Sequence, residues 1–301
     1  MKTNAIIRII VWSLVLVLLG GILCSFLLGR TYLNDHSTTA VNPEAGITDM
    51  DLSGNVVASG EAIYFDADSI SNIKIEWAAG DITIVKKDYI PTIRIVEEVP
   101  ADNRYTMVAK TNGQTLKLQF CEESASLFGI GNHSVLSKDL TIEVPEYWTC
   151  QNLELDVAAA NLEIHKLAIT DVDIDGASGT CNFVNCMISN LDIDTASGDV
   201  TFSGFLDTLD FDAASASFYG EFQNTPQSID MDGLSGKLDI ALPEDCGYSL
   251  NMDGMSTRFT SDFQGAENRN GTHIYGDGRC RIQADGMNVD VNIRKSDNII
   301  K

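Results

Sequence analysis

The sequence predicts an all-β fold: a single parallel β-solenoid of ~19-residue coils with inserted antiparallel hairpins, preceded by one N-terminal transmembrane helix. Three observations lead there. Six consecutive segments read LELDVAAANLEI, VDIDGASGTCNF, LDIDTASGDVTF, LDFDAASASFYG, IDMDGLSGKLDI and LNMDGMSTRFTS, beginning at Leu153, Val172, Leu191, Leu209, Ile229 and Leu250. A further copy, IQADGMNVDVNI, begins at Ile282, and an outlying IKIEWAAGDITI begins at Ile73. Within each copy apolar and polar residues alternate with the period of two that a strand requires. Ahead of them all, the run from Ile9 to Leu28 contains no charged residue.

That run assigns residues 9–28 to the transmembrane helix, because at ~1.5 Å per residue its length matches the ~30 Å hydrocarbon core. A cleaved signal peptide has a shorter apolar region followed by a small-residue cleavage site, and Leu27-Leu28-Gly29-Arg30 offers none. Lys2 and Arg8 precede the run and only Arg30 follows it closely, so residues 1–8 read as a cytoplasmic stub. The expected location is the cell membrane, single-pass, with the C-terminal part extracytoplasmic. Residues 29–60, polar and without periodicity, read as a stalk.

Residues 61–301 then form the solenoid ectodomain. Stacking the copies gives an inward column Leu153, Val172, Leu191, Leu209, Ile229, Leu250 and a neighbour Leu155, Ile174, Ile193, Phe211, Met231, Met252. After a short corner, a second arm contributes Leu162, Cys181, Val200, Phe218, Leu238, Phe259 and Val291. One coil alone buries too little apolar surface to offset its ordering entropy, whereas stacked coils share a continuous core. Gly176, Gly179, Gly198, Gly233 and Gly236 supply backbone freedom at the bends. Residues 90–149 carry alternating runs around Asn112-Gly113, a hairpin signal, and read as inserted antiparallel strands. Residues 264–281 read as a second hairpin insertion, lying between the coil at Leu250 and the coil at Ile282.

Charge narrows the partners. The chain has 43 acidic and 20 basic residues, and all the acidic ones lie beyond Arg30. Nucleic acid and anionic lipid surfaces need clustered Lys and Arg, so neither is an expected partner of this body. Divalent cations or cationic ligands suit it better. The expected partner is an envelope or surface ligand, or a membrane protein. Of seven cysteines, six lie beyond the apolar run, an even number that permits disulfides in an exported body without fixing their connectivity.

The units LDIDTASGDVTF and IDMDGLSGKLDI, the strand TIEVPEY, the DITI unit and the closing segment GDGRCRIQADGMNVDVNI resemble, behind an apolar N-terminal helix, the bacterial putative-adhesin β-solenoid family, a domain family of unknown function. The resemblance spans roughly residues 60 to 295 and implies a bacterial, envelope-facing, membrane-anchored protein. Its motifs are structural: a strand, a Ser-Gly corner, a strand. Ala214-Ser215-Ala216 and Met255-Ser256-Thr257 depart from the regular corner.

Candidate chemistry lies on the acidic face. Asp156, Asp175, Asp194, Asp212, Asp232, Asp253 and Asp285 form one outward column, and Glu154, Asp173, Asp192, Asp210 and Asp230 its neighbour. Oxygen-only ligands suit a hard cation, so Asp173, Asp175, Asp192 and Asp194 are the candidate metal ligands for weak Ca²⁺ binding. No loop here supplies the carbonyl ligands of a dedicated calcium site, and no other cofactor is implied. Paired carboxylates also hydrolyse glycosides, but every coil offers the same pair, so none is singled out as acid or nucleophile. The serine column Ser178, Ser197, Ser215, Ser235, Ser256 has no G-x-S-x-G elbow and no histidine at the corner. His36, His133, His165 and His273 match no metal spacing. Phe218, Tyr219 and Phe222 crowd one coil, and alternation cannot bury all three. The sequence thus reads as a non-catalytic, membrane-anchored extracytoplasmic β-solenoid for binding, adhesion or envelope sensing. The alternatives are a polysaccharide-active enzyme using the acidic face, or a structural spacer or assembly module.

Overall fold

The computed structural model describes residues 62–98, 107–121, 137–265, 267–269 and 271–296, and the backbone of 56–57. The stub, the transmembrane helix at 9–28 and nearly all of the stalk lie outside the described residues. Among the described residues no helix is long and apolar enough to cross a membrane.

The first strands build one end of the solenoid. They are β1 (Val56–Val57), β2 (Ile63–Asp66), β3 (Asn72–Lys87), β4 (Thr92–Glu97), β5 (Val108–Asn112), β6 (Thr115–Gln119) and β7 (Leu140–Pro145). Strand β3 is the first coil, and its two arms pair in parallel with β6 and with β7 respectively. Behind these, β5 pairs antiparallel with β6, β4 with β7, β2 with β4, and β1 with β5. The β5–β6 hairpin turns at Asn112-Gly113, where Gly113 has φ +58°. These strands cover the β3 edge that would otherwise present unpaired backbone groups.

The coils that follow are β8 (Cys150–His165), β9 (Ala168–Ser178), β10 (Thr180–Phe222), β11 (Ser228–Leu242), β12 (Tyr248–Ser261) and β15 (Cys280–Lys295), with β13 (Glu267–Arg269) and β14 (Thr272–Tyr275) between the last two. Parallel pairing runs β3–β8–β9–β10–β11, with equivalent repeat positions opposite one another, as in Leu153↔Val172 and Leu209↔Ile229. Every member of the first inward column is buried. So are Leu155, Ile174, Ile193, Phe211 and Met231 of the second column, and Leu162, Val200, Phe218, Leu238 and Val291 of the second arm. The seam is rich in aromatic contacts, with Phe218 and Phe222 stacked at 6.4 Å and Phe202 tilted against Phe222 at 5.7 Å. Phe218 and Phe222 share strand parity and both point inward, while Tyr219 points out.

Several bends admit only glycine, and Gly179 and Gly198 show why. Gly179 and Gly198 have φ of +137° and +142°, and a Cβ there would lie 1.9 Å from the Ala160 carbonyl oxygen and 2.0 Å from that of Gly179. The coils could not approach at strand spacing with a side chain in that position.

Chain order and stacking order part company at the C-terminus. The sequence places the coil at Leu250 next to the coil at Ile229, with the coil at Ile282 beyond both. The structure corrects this: β15 pairs in parallel with β11 on one edge and with β12 on the other. Strand β12 is therefore the outermost coil. Its physical suitability is in its side chains. Met252 and Phe259 are only half-buried, and Asp253 through Arg258 are exposed, whereas Ile282, Ala284, Val291 and Ile293 of β15 are buried. An end coil has one neighbour, so the polar, loosely packed repeat sits there and the apolar one is enclosed. Strand β14 pairs antiparallel with Tyr248–Asn251 on the outer edge of β12, and β13 pairs with β14. The hairpin within 264–281 thus lies on the outer edge of β12 and not between two coils.

Candidate functional surface: an acidic ladder on the first arm

The first arm of each coil presents two outward positions, and parallel register turns each into a column. One column begins at Glu76 and continues through Asp156 and Asp175 to Asp194, by the pairings Glu76↔Asp156, Asp156↔Asp175 and Asp175↔Asp194. Farther along, Asp212 pairs with Asp232, Asp232 with Asp285, and Asp285 with Asp253. The other column begins at Lys74 and runs through Glu154 and Asp173 to Asp192, then from Asp210 to Asp230, Gln283 and Asn251. The four candidate ligands are brought together as the sequence implies, Asp173 beside Asp192 and Asp175 beside Asp194, all exposed. Among the described residues no group of three or more His, Cys, Asp or Glu side chains is arranged to hold a metal ion.

The ladder is electrostatically polarised along its length. At the β3 end, Lys74 bonds Glu154 and lies 3.1 Å from Asp156. Lys117 of β6 sits 2.7 Å from Glu76, which also accepts from Gln119 at 2.8 Å. Partial burial opposes ionisation of both Lys74 and Glu76, but these bonds win, holding the amine above its usual range and the carboxyl below it. Toward the middle the balance reverses. Partial desolvation of these surface carboxyls by the packed coils, reinforced by neighbouring carboxylates, raises Asp173, Asp175 and Asp192. The same causes push Asp194 up to about 6 and Asp212 up to about 7. Asp212 is flanked by Asp232, Asp194, Asp210 and Asp230, so ionising it adds a charge to a row of like charges.

The second arm is different in kind. There Asp239 is bonded by Arg294 at 2.7 Å and by Lys237 at 3.0 Å, and the Lys237 amine lies 4.9 Å from the Tyr219 ring centre. Asn161 donates to Asp81 at 2.8 Å, and Thr201 donates to Asn182 at 2.6 Å. Opposite charges and amides stabilise this face, so the acidic surplus is concentrated on the first arm.

The remaining sequence candidates separate cleanly. Ser178, Ser197, Ser215, Ser235 and Ser256 are exposed at corners. His165 bonds Glu163 at 2.8 Å and His273 packs against Phe259 at 4.6 Å, so neither meets a serine of that column. His36 and His133 lie outside the described residues. At the entrance to β8, outside that set, Trp148 is buried, donating to the Ile70 carbonyl at 2.8 Å, while Tyr147 is exposed.

One site escaped sequence reasoning. Lys138 is fully buried and bonds both Glu97, itself buried, and the Phe120 carbonyl. Its amine lies 4.2 Å from the Phe120 ring centre and 5.1 Å from that of Trp77, and Trp77 donates to the Lys138 carbonyl at 2.8 Å. The Glu97 carboxylate also accepts from the Met107 amide at 3.0 and 3.1 Å. Burial depresses the Lys138 amine despite its carboxylate partner. The node ties β4, β5, β6 and the approach to β7 together. No spacing signal announces it, because its members come from separate parts of the chain.

Comparison with known proteins adds the following. Residues 70–294 match the family model described as Toastrack DUF4097. Among solved structures, the chain is similar to one named as a putative adhesin from Bacteroides fragilis NCTC 9343, with 12% identity, 77% of this chain and 96% of that chain covered, and a TM-score of 0.45. It is similar to one named as a putative cell adhesion protein from Clostridium sporogenes ATCC 15579, with 11% identity, 78% and 98% covered, and a TM-score of 0.32. It is also similar to one named as a putative lipid binding protein from Parabacteroides distasonis ATCC 8503, with 12% identity, 77% and 96% covered, and a TM-score of 0.30. No curated protein matches the chain.

Proposed function

This chain belongs to the Toastrack DUF4097 family, and from that premise we propose that it is a membrane-anchored, extracytoplasmic and non-catalytic β-solenoid that binds or senses a cationic ligand at the cell envelope. The observation that carries the reading is the acidic ladder. It is held in register by main-chain pairing, so its carboxylates are spaced at the ~4.8 Å strand interval and need no reorganisation to meet a partner. A surface that repeats one chemical group along its length suits an extended or multivalent partner, such as a basic segment of an envelope protein. Non-catalysis is supported by the repetition of the same outward carboxylate pair on successive coils, where a hydrolase would need one acid set apart from its neighbours. The apolar run at 9–28 supports the anchor, and the asymmetry of Lys2 and Arg8 supports export of the C-terminal body.

The test uses full-length protein in nanodiscs and an oligolysine probe, measured over a range of salt. Replacing Asp173, Asp175, Asp192 and Asp194 by Asn is expected to weaken binding at least tenfold at low salt and to flatten its salt dependence. Equal binding by the variant sinks the ligand class. Turnover of an envelope polysaccharide, abolished by one Asp→Asn change and untouched by the same change in the next coil, would replace binding with catalysis. Weak calcium binding by the same four aspartates is part of the proposal. It requires a rise in melting temperature at millimolar calcium beyond that given by sodium at equal ionic strength, and the Asn variant must lose it. Protease access to a C-terminal tag on intact cells tests the membrane orientation separately.

A further inference from the structure

Every largely exposed tyrosine among the described residues belongs to one region, the strands and turns built around the second arm of β3: Tyr64 is 50% exposed, Tyr147 61% and Tyr89 102%. Register brings two of them side by side. Lys87 and Pro145 pair on the last rung between β3 and β7, and Tyr89 and Tyr147 each lie two residues beyond that rung, on the turns that leave it. Two bonds tie the turns together. The Tyr147 hydroxyl donates to the Pro91 carbonyl at 3.4 Å, and the Lys86 amine donates to the Glu146 carbonyl at 2.7 Å. Thr92, next to Pro91, pairs with Asp66 of β2, and two rungs along the same strands Arg94 pairs with Tyr64.

Fold stability does not account for Tyr89. Its backbone is left-handed, at φ +63°, where a Cβ is disfavoured and glycine or asparagine is the ordinary occupant. The ring gains no burial in exchange, because the side chain stands wholly in solvent. Tyr147 sits in a turn closed by the Trp148 amide on the Pro145 carbonyl at 3.0 Å, a place where small polar residues ordinarily serve. An exposed aromatic on each of two adjoining turns, one of them at a backbone cost, points to contact with something outside the chain.

We propose that Tyr89 and Tyr147, with Tyr64 on the neighbouring strand, form a stacking platform for the pyranose rings of a neutral polysaccharide. Tyrosine presents a rigid apolar face and a polar tip at small entropic cost. That suits a ring with C–H groups on its faces and hydroxyls around its rim. The polar groups beside the platform are of mixed sign. The exposed carboxylates of Asp88 and Glu146 each adjoin one tyrosine in the chain, and Lys86 and Lys87 come just before Asp88. Carboxylates accept from sugar hydroxyls and amines donate to them, so an uncharged polyol satisfies both kinds of group. A cationic ligand gains less here than on the acidic ladder, because Lys87 and Arg94 already lie 3.7 and 2.7 Å from the Glu143 carboxylate. The platform lies beyond the end of the second arm and the ladder on the first, so the two surfaces are independent.

The test uses full-length protein in nanodiscs, titrated calorimetrically with chitohexaose and with cellohexaose at low and at high salt. Expected is saturable binding of at least one of these sugars, unchanged by salt because the ligand carries no charge. Tyr89→Gly and Tyr147→Ala should each weaken it about tenfold, and Tyr89→Phe should bind as wild type does. Tyr89→Gly also separates contact from folding. Glycine suits φ +63°, so this variant should melt at or above the wild-type temperature while binding falls. Asn at positions 173, 175, 192 and 194 should leave sugar binding unchanged, which keeps this proposal apart from the ladder reading. Absence of binding by both sugars, or binding that survives both tyrosine variants, would overturn the platform. So would a lower melting temperature for Tyr89→Gly, which would make Tyr89 a structural residue. Oligolysine binding lost in Tyr89→Gly, with neither sugar bound, would replace the polysaccharide by a basic peptide and overturn the proposal.

Discussion

Ile282 lies in parallel register beside Ile229, although the whole of the coil beginning at Leu250 stands between them in the chain. The last coil is thus enclosed by two earlier ones, and the burial of a repeat position follows its place in the stack and not its place in the sequence.

This order fixes the relative cost of two core truncations. Ile282→Ala, in the enclosed coil, should cost about 2–4 kcal/mol, and Met252→Ala, half-buried in the outermost coil, less than about 1.5 kcal/mol. Urea denaturation of the two variants checks it. Equal costs would mean that β12 is packed on both sides.

Corner glycines should be unequal too. Gly198→Ala combines φ +142° with a Cβ 2.0 Å from a backbone oxygen, so a loss of more than about 2 kcal/mol is expected. Gly113→Ala, at φ +58° with open space around it, should cost only about 1 kcal/mol. Denaturant midpoints compare them, and a tolerated alanine at 198 would contradict the corner geometry.

The acidic ladder makes stability depend on pH in a defined direction. Asp212, at about 7, and Asp194, at about 6, bind protons more tightly folded than unfolded, where the ordinary value is ~4. Their contribution is intact below about pH 4 and is lost as pH rises from ~4 through ~7. Asp212→Asn should therefore melt higher than wild type at pH 8 and close to it at pH 4. Thermal melts across that range measure the difference, and a variant gain that grew as pH fell would reverse the sign.

The buried pair Lys138–Glu97 should be costly to break and cheaper to replace. Lys138→Met leaves a carboxylate buried without its cation and should cost about 3–5 kcal/mol. Adding Glu97→Leu should recover part of that loss, leaving the unpaired Met107 amide as a residual cost. A double-mutant cycle checks the coupling, and strict additivity would remove the node from the account.

Most of the architecture was legible because strand periodicity and coil periodicity are both local properties. Leu153, Leu155 and Leu162 declare their inward facing within one coil, and repetition carries that facing to Val172, Ile174 and onward. The acidic face was legible for the same reason, since Asp173 and Asp192 occupy one repeat position. Lys74 and Lys117 were not, because the outlying first coil and the inserted strand β6 had to be set in register before their amines could be placed at the head of the ladder.

The sequence by itself determined which side chains of each coil face the core, that the coils stack in parallel, and that carboxylates form rows along one arm, because each of these follows from a pattern written within a single repeat. Only the tertiary structure decided the stacking order, the pairing of Lys74 with Glu154 and the Lys138–Glu97 node. Those depend on contacts between distant segments, where several registers satisfy the same local pattern, and the choice among them falls to the total burial and hydrogen bonding of the assembled stack.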